Sequence, residues 1–218
     1  MYSADAQAFK RALAGSRLGF RCLGAIIASF DALARCYTRF CLHNLNTIEL
    51  SWPDTIHAHF KRVGVRQVGY VPDAGHSRLI ALCRDDPNIA DVVLTTEEEG
   101  VGLVAGAALG GERAALLMQS SGVGNCINMF SLLRNCGFAG LLLVTMRGEF
   151  GEFNPWQVPM GTMTEDALRL CGFLTYRIES PADVDEIVGA GCDMAFDGNL
   201  LVAILLSQRL IGRKQWTR

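Results

Sequence analysis

Short apolar runs, separated by segments of helical pattern, recur along the chain at 67–71, 90–94, 114–119, 141–146, 174–178 and 200–206, and this alternation constrains the fold more than any other feature. The runs at 114–119, 141–146 and 200–206 are apolar at successive positions, as strands buried on both faces are. Between the runs, 53–63, 76–83, 164–171 and 183–196 carry helical patterns, as do a segment opened by Glu97 and one running from 126 to 135. Repeated strand–helix units of this kind predict an α/β fold, a mainly parallel sheet with helices on both faces.

With 218 residues, 50% of them apolar, the chain has material for one such domain and an extension. The domain is expected at 52–212, with 1–51 as an N-terminal extension and 213–218 as a C-terminal tail. Basic residues Lys10, Arg11, Arg17 and Arg21 precede an apolar patch at 23–30, but Asp31 interrupts it, and no stretch approaches the roughly 20 apolar residues a bilayer span needs. An extension outside the domain is the expected reading, in a cytoplasmic protein with no membrane partner. Lys plus Arg at 20 against Asp plus Glu at 22 gives a net charge of −2, so no nucleic-acid surface is expected. The 8 cysteines form no C-x-x-C and have no histidine at ligand spacing; reduced core residues are expected, and no metal site.

The segment 95–125, TTEEEGVGLVAGAALGGERAALLMQSSGVGN, asks for more than ordinary packing. Carboxylates at Glu97, Glu98 and Glu99 suit a first helical turn after a threonine cap, which accounts for one or two of them. Gly100, Gly102 and Gly106 then each cost roughly 1 kcal/mol relative to alanine in a helix. Something approaches that backbone closely: the sheet beneath, a large flat ligand, or a partner helix. The following strand delivers Gln119, Ser120 and Ser121 to its carboxyl end, where ligands of open α/β sheets bind, and SSGVGN reads as a small-residue turn there. Alone, that turn is a generic anion or ligand loop. Neither G-x-x-x-x-G-K-[ST] nor a strand-linked G-x-G-x-x-G with a following acid occurs, which disfavours a plain nucleotide-binding domain.

Two further features bear on function. The stretch 147–163, RGEFGEFNPWQVPMGTM, reads as a long loop, either a lid or partner-binding loop or a surface excursion with Trp156 in a groove. Arg147 ends a strand, where a cation meets an anionic substrate or an ion-pair partner. His76, at a helix start, reads as a cap or surface residue.

The order of these parts, an acidic residue, a small-residue helix, an apolar strand and S-G-x-G-N, resembles the pyrimidine-binding domain of thiamine diphosphate decarboxylases. EEEGVGLVAGA, LLMQSSGVGNCIN and NPWQVPMG are most similar to the alpha subunit of sulfopyruvate decarboxylase, then to phosphonopyruvate decarboxylase, from about Trp52 to Leu210. The resemblance implies that a glutamate at the pyrimidine N1′ activates the cofactor; the spacing to Gly106 selects Glu97, with Glu98 as the fallback. It further implies cofactor contacts from Pro72, Ser121, Gly122, Gly124 and Asn125, and substrate contacts from Asp73, Asn125 and Arg147. Ser120 departs from the family, which usually carries asparagine there.

The family's G-D-G motif, which holds the diphosphate and Mg²⁺, does not occur in this sequence. The resemblance therefore implies a beta subunit carrying the diphosphate-binding domain. The implied activity is decarboxylation of a small anionic 2-oxo acid, 3-sulfopyruvate to sulfoacetaldehyde, with phosphonopyruvate as the alternative. A non-catalytic binding or regulatory subunit is the reading from another class.

Overall fold

A computed structural model describes residues 51–212; the expected extension, with Cys22, Cys36 and Cys41, and the tail 213–218 lie outside the described residues. Helix α1 (Trp52–Arg62) leads into β1 (Val65–Tyr70), followed by a short 3-10 turn (Ala74–His76), α2 (Ser77–Asp85) and β2 (Ala90–Val93). Then come α3 (Glu97–Leu109), β3 (Arg113–Gln119), α4 (Ser120–Cys126), α5 (Phe130–Cys136) and β4 (Gly140–Thr145). The chain continues through a second 3-10 turn (Pro155–Gln157), α6 (Val158–Leu170), β5 (Leu174–Ile178), a third (Pro181–Asp183), α7 (Val184–Phe196), β6 (Leu201–Leu206) and α8 (Gln208–Ile211). The sheet has 6 strands in the order β2-β1-β3-β4-β6-β5, and every pairing is parallel.

Both faces are covered, as the apolar runs predict. Ala115 and Leu117 of β3 point to a core with Phe60 of α1, Leu79 of α2 and Val188 of α7. Their neighbours Leu116 and Met118 point the other way, to Val101 of α3, Val123 of α4, Phe130 of α5 and Leu168 of α6. Alternate residues of one strand thus feed two cores, so the interior positions Ala114 to Met118 are all apolar.

Two helices differ from the sequence expectation. SSGVGN is not a turn: it forms α4, and the helix expected at 126–135 is broken around Ile127–Met129, giving α4 and α5. Glycine and serine disfavour isolated helix, yet Val123 and Cys126 bury one face of α4 and packing overrides propensity. Helix α6 begins at Val158, not Thr164, with Pro159 in its first turn, where a missing N–H costs nothing. Its start is fixed by close approach: a Cβ on Gly161 would lie 2.1 Å from the Arg147 carbonyl oxygen, and one on Gly148 2.2 Å from that of Gln157.

The glycines of α3 have separate causes. A Cβ on Gly100 would lie 2.2 Å from Leu116 Cδ1, so this glycine lets the helix lie down on the sheet. Gly102 and Gly106 have no atom of another element within 4 Å of that position among the described residues and belong to the exposed side of the helix. Gly100→Ala is expected to cost about 1–3 kcal/mol through overpacking. Gly102→Ala should stabilise the free chain by up to about 1 kcal/mol. Urea unfolding of both variants checks the pair, and equal destabilisation would contradict the assignment.

Candidate active site

Between β1 and β3 the sheet order reverses: the chain leaves β1 for β2 on one side and returns to β3 on the other. A crevice outside the carboxyl ends of the strands forms at such a point. Pro72 and Asp73 follow β1, Gln119 ends β3, Ser120 to Asn125 lie in α4, and Thr145 ends β4 two residues before Arg147. Helix α3 presents its amino end to α4.

The three glutamates of that helix take three directions. Glu99 is exposed, and its Oε2 accepts from the Thr95 backbone N–H at 2.8 Å; Glu98 is exposed and accepts from Thr96 Oγ1 at 3.3 Å. Both serve the helix start. Glu97 is half-buried and crosses to α4, where its Oε2 accepts from Asn125 Nδ2 at 3.0 Å. Its Oε1 has no hydrogen-bond partner among the described residues. Gly122 is what admits it: a Cβ there would stand 2.6 Å from Glu97 Cγ, Cδ and Oε1. Any side chain at 122 would push the carboxylate away.

A second polar group joins three strand ends. Asp73 Oδ2 accepts from Thr145 Oγ1 at 2.7 Å and its Oδ1 from Gln119 Nε2 at 3.0 Å, while Gln119 Oε1 accepts from Ser121 Oγ at 3.1 Å. Pro72 is exposed beside it. The structure thus brings Asp73 and Ser121 into one network and Glu97, Gly122 and Asn125 into another. Gly124 has a packing reason instead, since a Cβ there would lie 3.0 Å from Met160 Sδ of α6. Ser120 is buried and ties β3 to β4: its Oγ accepts from the Arg147 N–H at 3.1 Å.

Arg147 does not offer a free fork to a substrate. It is buried, and its Nε and Nη2 donate to the two carboxylate oxygens of Glu152 at 2.6 and 2.7 Å. The arginine hydrogen bond holds the Glu152 carboxyl down at about 2. Gln208 completes the clasp, accepting from the N–H groups of Glu149 and Phe150 at Oε1 and donating from Nε2 to Glu152. The loop, which the sequence leaves open as a lid, a partner-binding loop or a surface excursion, is therefore stapled from within, and Trp156, far from tucked in a groove, is 87% exposed.

His76 holds the N-cap position of α2, but its side chain makes no cap hydrogen bond and is buried, not at the surface. Its Nε2 faces the carbonyl oxygens of Leu143 at 3.1 Å and Met118 at 3.3 Å, so it must carry the proton, and burial pushes the imidazole pKa below its ordinary value. The buried thiols of Cys83, Cys126 and Cys192 are free and pushed up to about 12 by burial, which keeps them protonated. Among the described residues no group of three or more His, Cys, Asp or Glu is arranged to hold a metal ion, and no helix is long and apolar enough to cross a membrane.

No protein-family model matches the chain. It is 35% identical over 154 residues to sulfopyruvate decarboxylase subunit alpha of Methanothermobacter thermautotrophicus, an alignment covering 70% of this chain and 93% of that one. The protein of the same name from Methanocaldococcus jannaschii is 36% identical, over 62% of this chain and 80% of its own. Phosphonopyruvate decarboxylase of Streptomyces viridochromogenes is 33% identical over 60% of this chain, but the match spans only 33% of that longer protein. Among solved structures, 2-oxoglutarate:ferredoxin oxidoreductase from Magnetococcus marinus superposes with a TM-score of 0.58 at 12% identity, over 74% of this chain and 29% of that one; the likeness is one of fold.

The Arg147–Glu152 clasp has a pH signature. Because the folded-state pKa of Glu152 lies below its ordinary 4.5, the stabilisation is complete above that value and is lost as pH falls toward about 2. Urea midpoints of the wild type should therefore drop between about pH 5 and about pH 3 by more than those of Glu152→Gln, which starts lower at neutral pH. Parallel pH profiles would contradict this role.

Proposed function

The chain belongs to the sulfopyruvate decarboxylase alpha-subunit family, and we propose that it is the pyrimidine-binding subunit of a thiamine diphosphate-dependent 2-oxo acid decarboxylase. The observation that carries the reading is Glu97: a half-buried carboxylate, oriented through Oε2 by Asn125, admitted by Gly122 and left with an Oε1 that has no hydrogen-bond partner among the described residues. Those features fit a carboxyl group that must share a proton with one ring nitrogen of a flat heterocycle. When bound, thiamine diphosphate supplies the electron sink for the carbon that loses CO₂.

The residues of this chain then divide the work. Glu97 holds the proton at the pyrimidine N1′, and Asn125 keeps its other oxygen from rotating away. Pro72, Ser121 and Gly122 line the approach to the cofactor, and Asp73 stands at the substrate end, in the network with Ser121. Arg147 is committed to Glu152 and shapes the loop beside the site. The diphosphate and Mg²⁺ are assigned to a beta subunit, as the family resemblance implies for a sequence without the G-D-G motif.

Two observations support a two-subunit enzyme. Relatives matched over most of their length are named as alpha subunits, whereas the chain corresponds to only a third of the longer phosphonopyruvate decarboxylase. In addition, α3 presents Gly102 and Gly106 with open space above them and Leu109 at 76% exposure, a surface suited to close approach by another chain. The substrate favoured by these relatives is 3-sulfopyruvate, giving sulfoacetaldehyde and CO₂; the Streptomyces relative makes phosphonopyruvate the second candidate.

The test is the chain copurified with its partner, supplied with thiamine diphosphate and Mg²⁺, and assayed for aldehyde formation from each acid. One acid should turn over, with Glu97→Gln lowering the rate by roughly 10²–10⁴ while the complex still assembles. A complex that binds cofactor but decarboxylates neither acid would favour the non-catalytic subunit.

A further inference from the structure

Asp73 is mounted, not merely placed, and the residues that mount it lie outside the cofactor contacts. Its two oxygens are each taken by one neutral donor, Thr145 Oγ1 at 2.7 Å and Gln119 Nε2 at 3.0 Å. Thr145 is fully buried at the end of β4, and its single hydroxyl proton has two acceptors in view: Asp73 Oδ2 at 2.7 Å and the Met118 carbonyl at 3.4 Å. The nearer acceptor is the carboxylate, and charge-assisted bonds are the stronger kind. Gln119 cannot flip without setting its carbonyl oxygen against that carboxylate, and Ser121 fixes the same orientation by donating to the oxygen on the other side.

The backbone under Asp73 is pinned as well. Three residues on, His76 is driven into the sheet interior with its Nε2–H shared between Leu143 of β4 and Met118 of β3. Gly75 lets the turn settle onto Thr145, for a Cβ there would lie 2.8 Å from Thr145 Cγ2 and 2.9 Å from Asp73 Oδ2. A solvent-facing carboxylate on a turn ordinarily has several rotamers. This one has donors on both oxygens and a buried anchor beneath it.

We infer that Thr145 and Gln119 are positioning residues that fix the Asp73 carboxylate in one orientation toward the substrate, with His76 anchoring its turn. The inference rests on the decarboxylase reading above for the substrate, but the orientation itself can be tested without turnover. A held carboxylate acts on the reacting substrate with no rearrangement during the reaction, and a misplacement of about 1 Å can cost 10²-fold in rate.

The discriminating variants are Thr145→Val, which keeps the shape and removes the donor, and Thr145→Ser, which keeps the donor and removes the methyl. In the complex with its partner, Thr145→Val should lower kcat roughly ten- to a hundredfold with KM within about threefold of wild type, and Thr145→Ser should recover most of the loss. A purely structural role predicts that both variants follow their unfolding midpoints instead. Wild-type kcat in Thr145→Val, in a complex where Glu97→Gln still abolishes turnover, would overturn the positioning role and leave the decarboxylase reading standing. Should the wild-type complex decarboxylate nothing, a crystal structure of Thr145→Val still decides. An Asp73 carboxylate rotated off the Gln119 amide is the expected result, and an unmoved carboxylate refutes the inference.

Discussion

Parallel pairing throughout the sheet is the constraint on which the rest of the molecule depends. Strands that all run one way must be joined by crossovers, the crossovers cover both faces with helices, and all carboxyl ends emerge along one edge. Residues distant in sequence meet there because of topology: Asp73 after β1, Gln119 at the end of β3 and Thr145 at the end of β4 share one network. The amino end of α3 is brought to the same edge, so that Glu97 meets α4.

Within that edge the polar groups form two systems with different chemistry. Arg147 and Glu152 neutralise one another in a buried clasp, completed by the neutral amide of Gln208, that shapes the loop after β4. Among the described residues Glu97 and Asp73, by contrast, are held by neutral amides and hydroxyls alone in direct contact, Asn125 for the first and Gln119 and Thr145 for the second. The charge of the clasp is spent on structure, while each carboxylate of the site is fixed in direction with no ion-pair partner at hydrogen-bond distance among the described residues. Glycine supplies the clearance: Gly122 beneath Glu97 and Gly75 beneath Asp73 are positions where a methyl group would collide with the working side chain or its support.

Much of this is legible in the sequence where the signal is local. Apolar runs mark the strands to within about two residues because the interior positions of parallel strands covered on both faces are mostly apolar. The family resemblance picks Glu97 by its distance from Gly106, and of the three glutamates Glu97 is the one bonded to α4; helical periodicity does not make that choice, since positions nine apart lie on opposite faces of a helix. Elements governed by tertiary contact are illegible: α4 looks like a turn until Val123 and Cys126 are seen to be buried, and α6 starts early because Gly161 lies against the Arg147 carbonyl. The partner of Arg147 is unmarked too, since an arginine at a strand end reads alike whether it faces a substrate or Glu152. Gln119, Thr145 and Gln208 carry no motif, and their roles come from which strand ends the topology sets side by side.

The central claim is that the Glu97 carboxylate, seated on Gly122, is the group that meets the cofactor's pyrimidine. A crystal structure of the two-subunit complex with thiamine diphosphate tests it most directly. Glu97 Oε1 is expected within about 2.6–3.0 Å of N1′, with Oε2 still on Asn125. A pyrimidine paired with Glu98, with a carboxylate from the other subunit, or with no carboxylate at all would contradict the account.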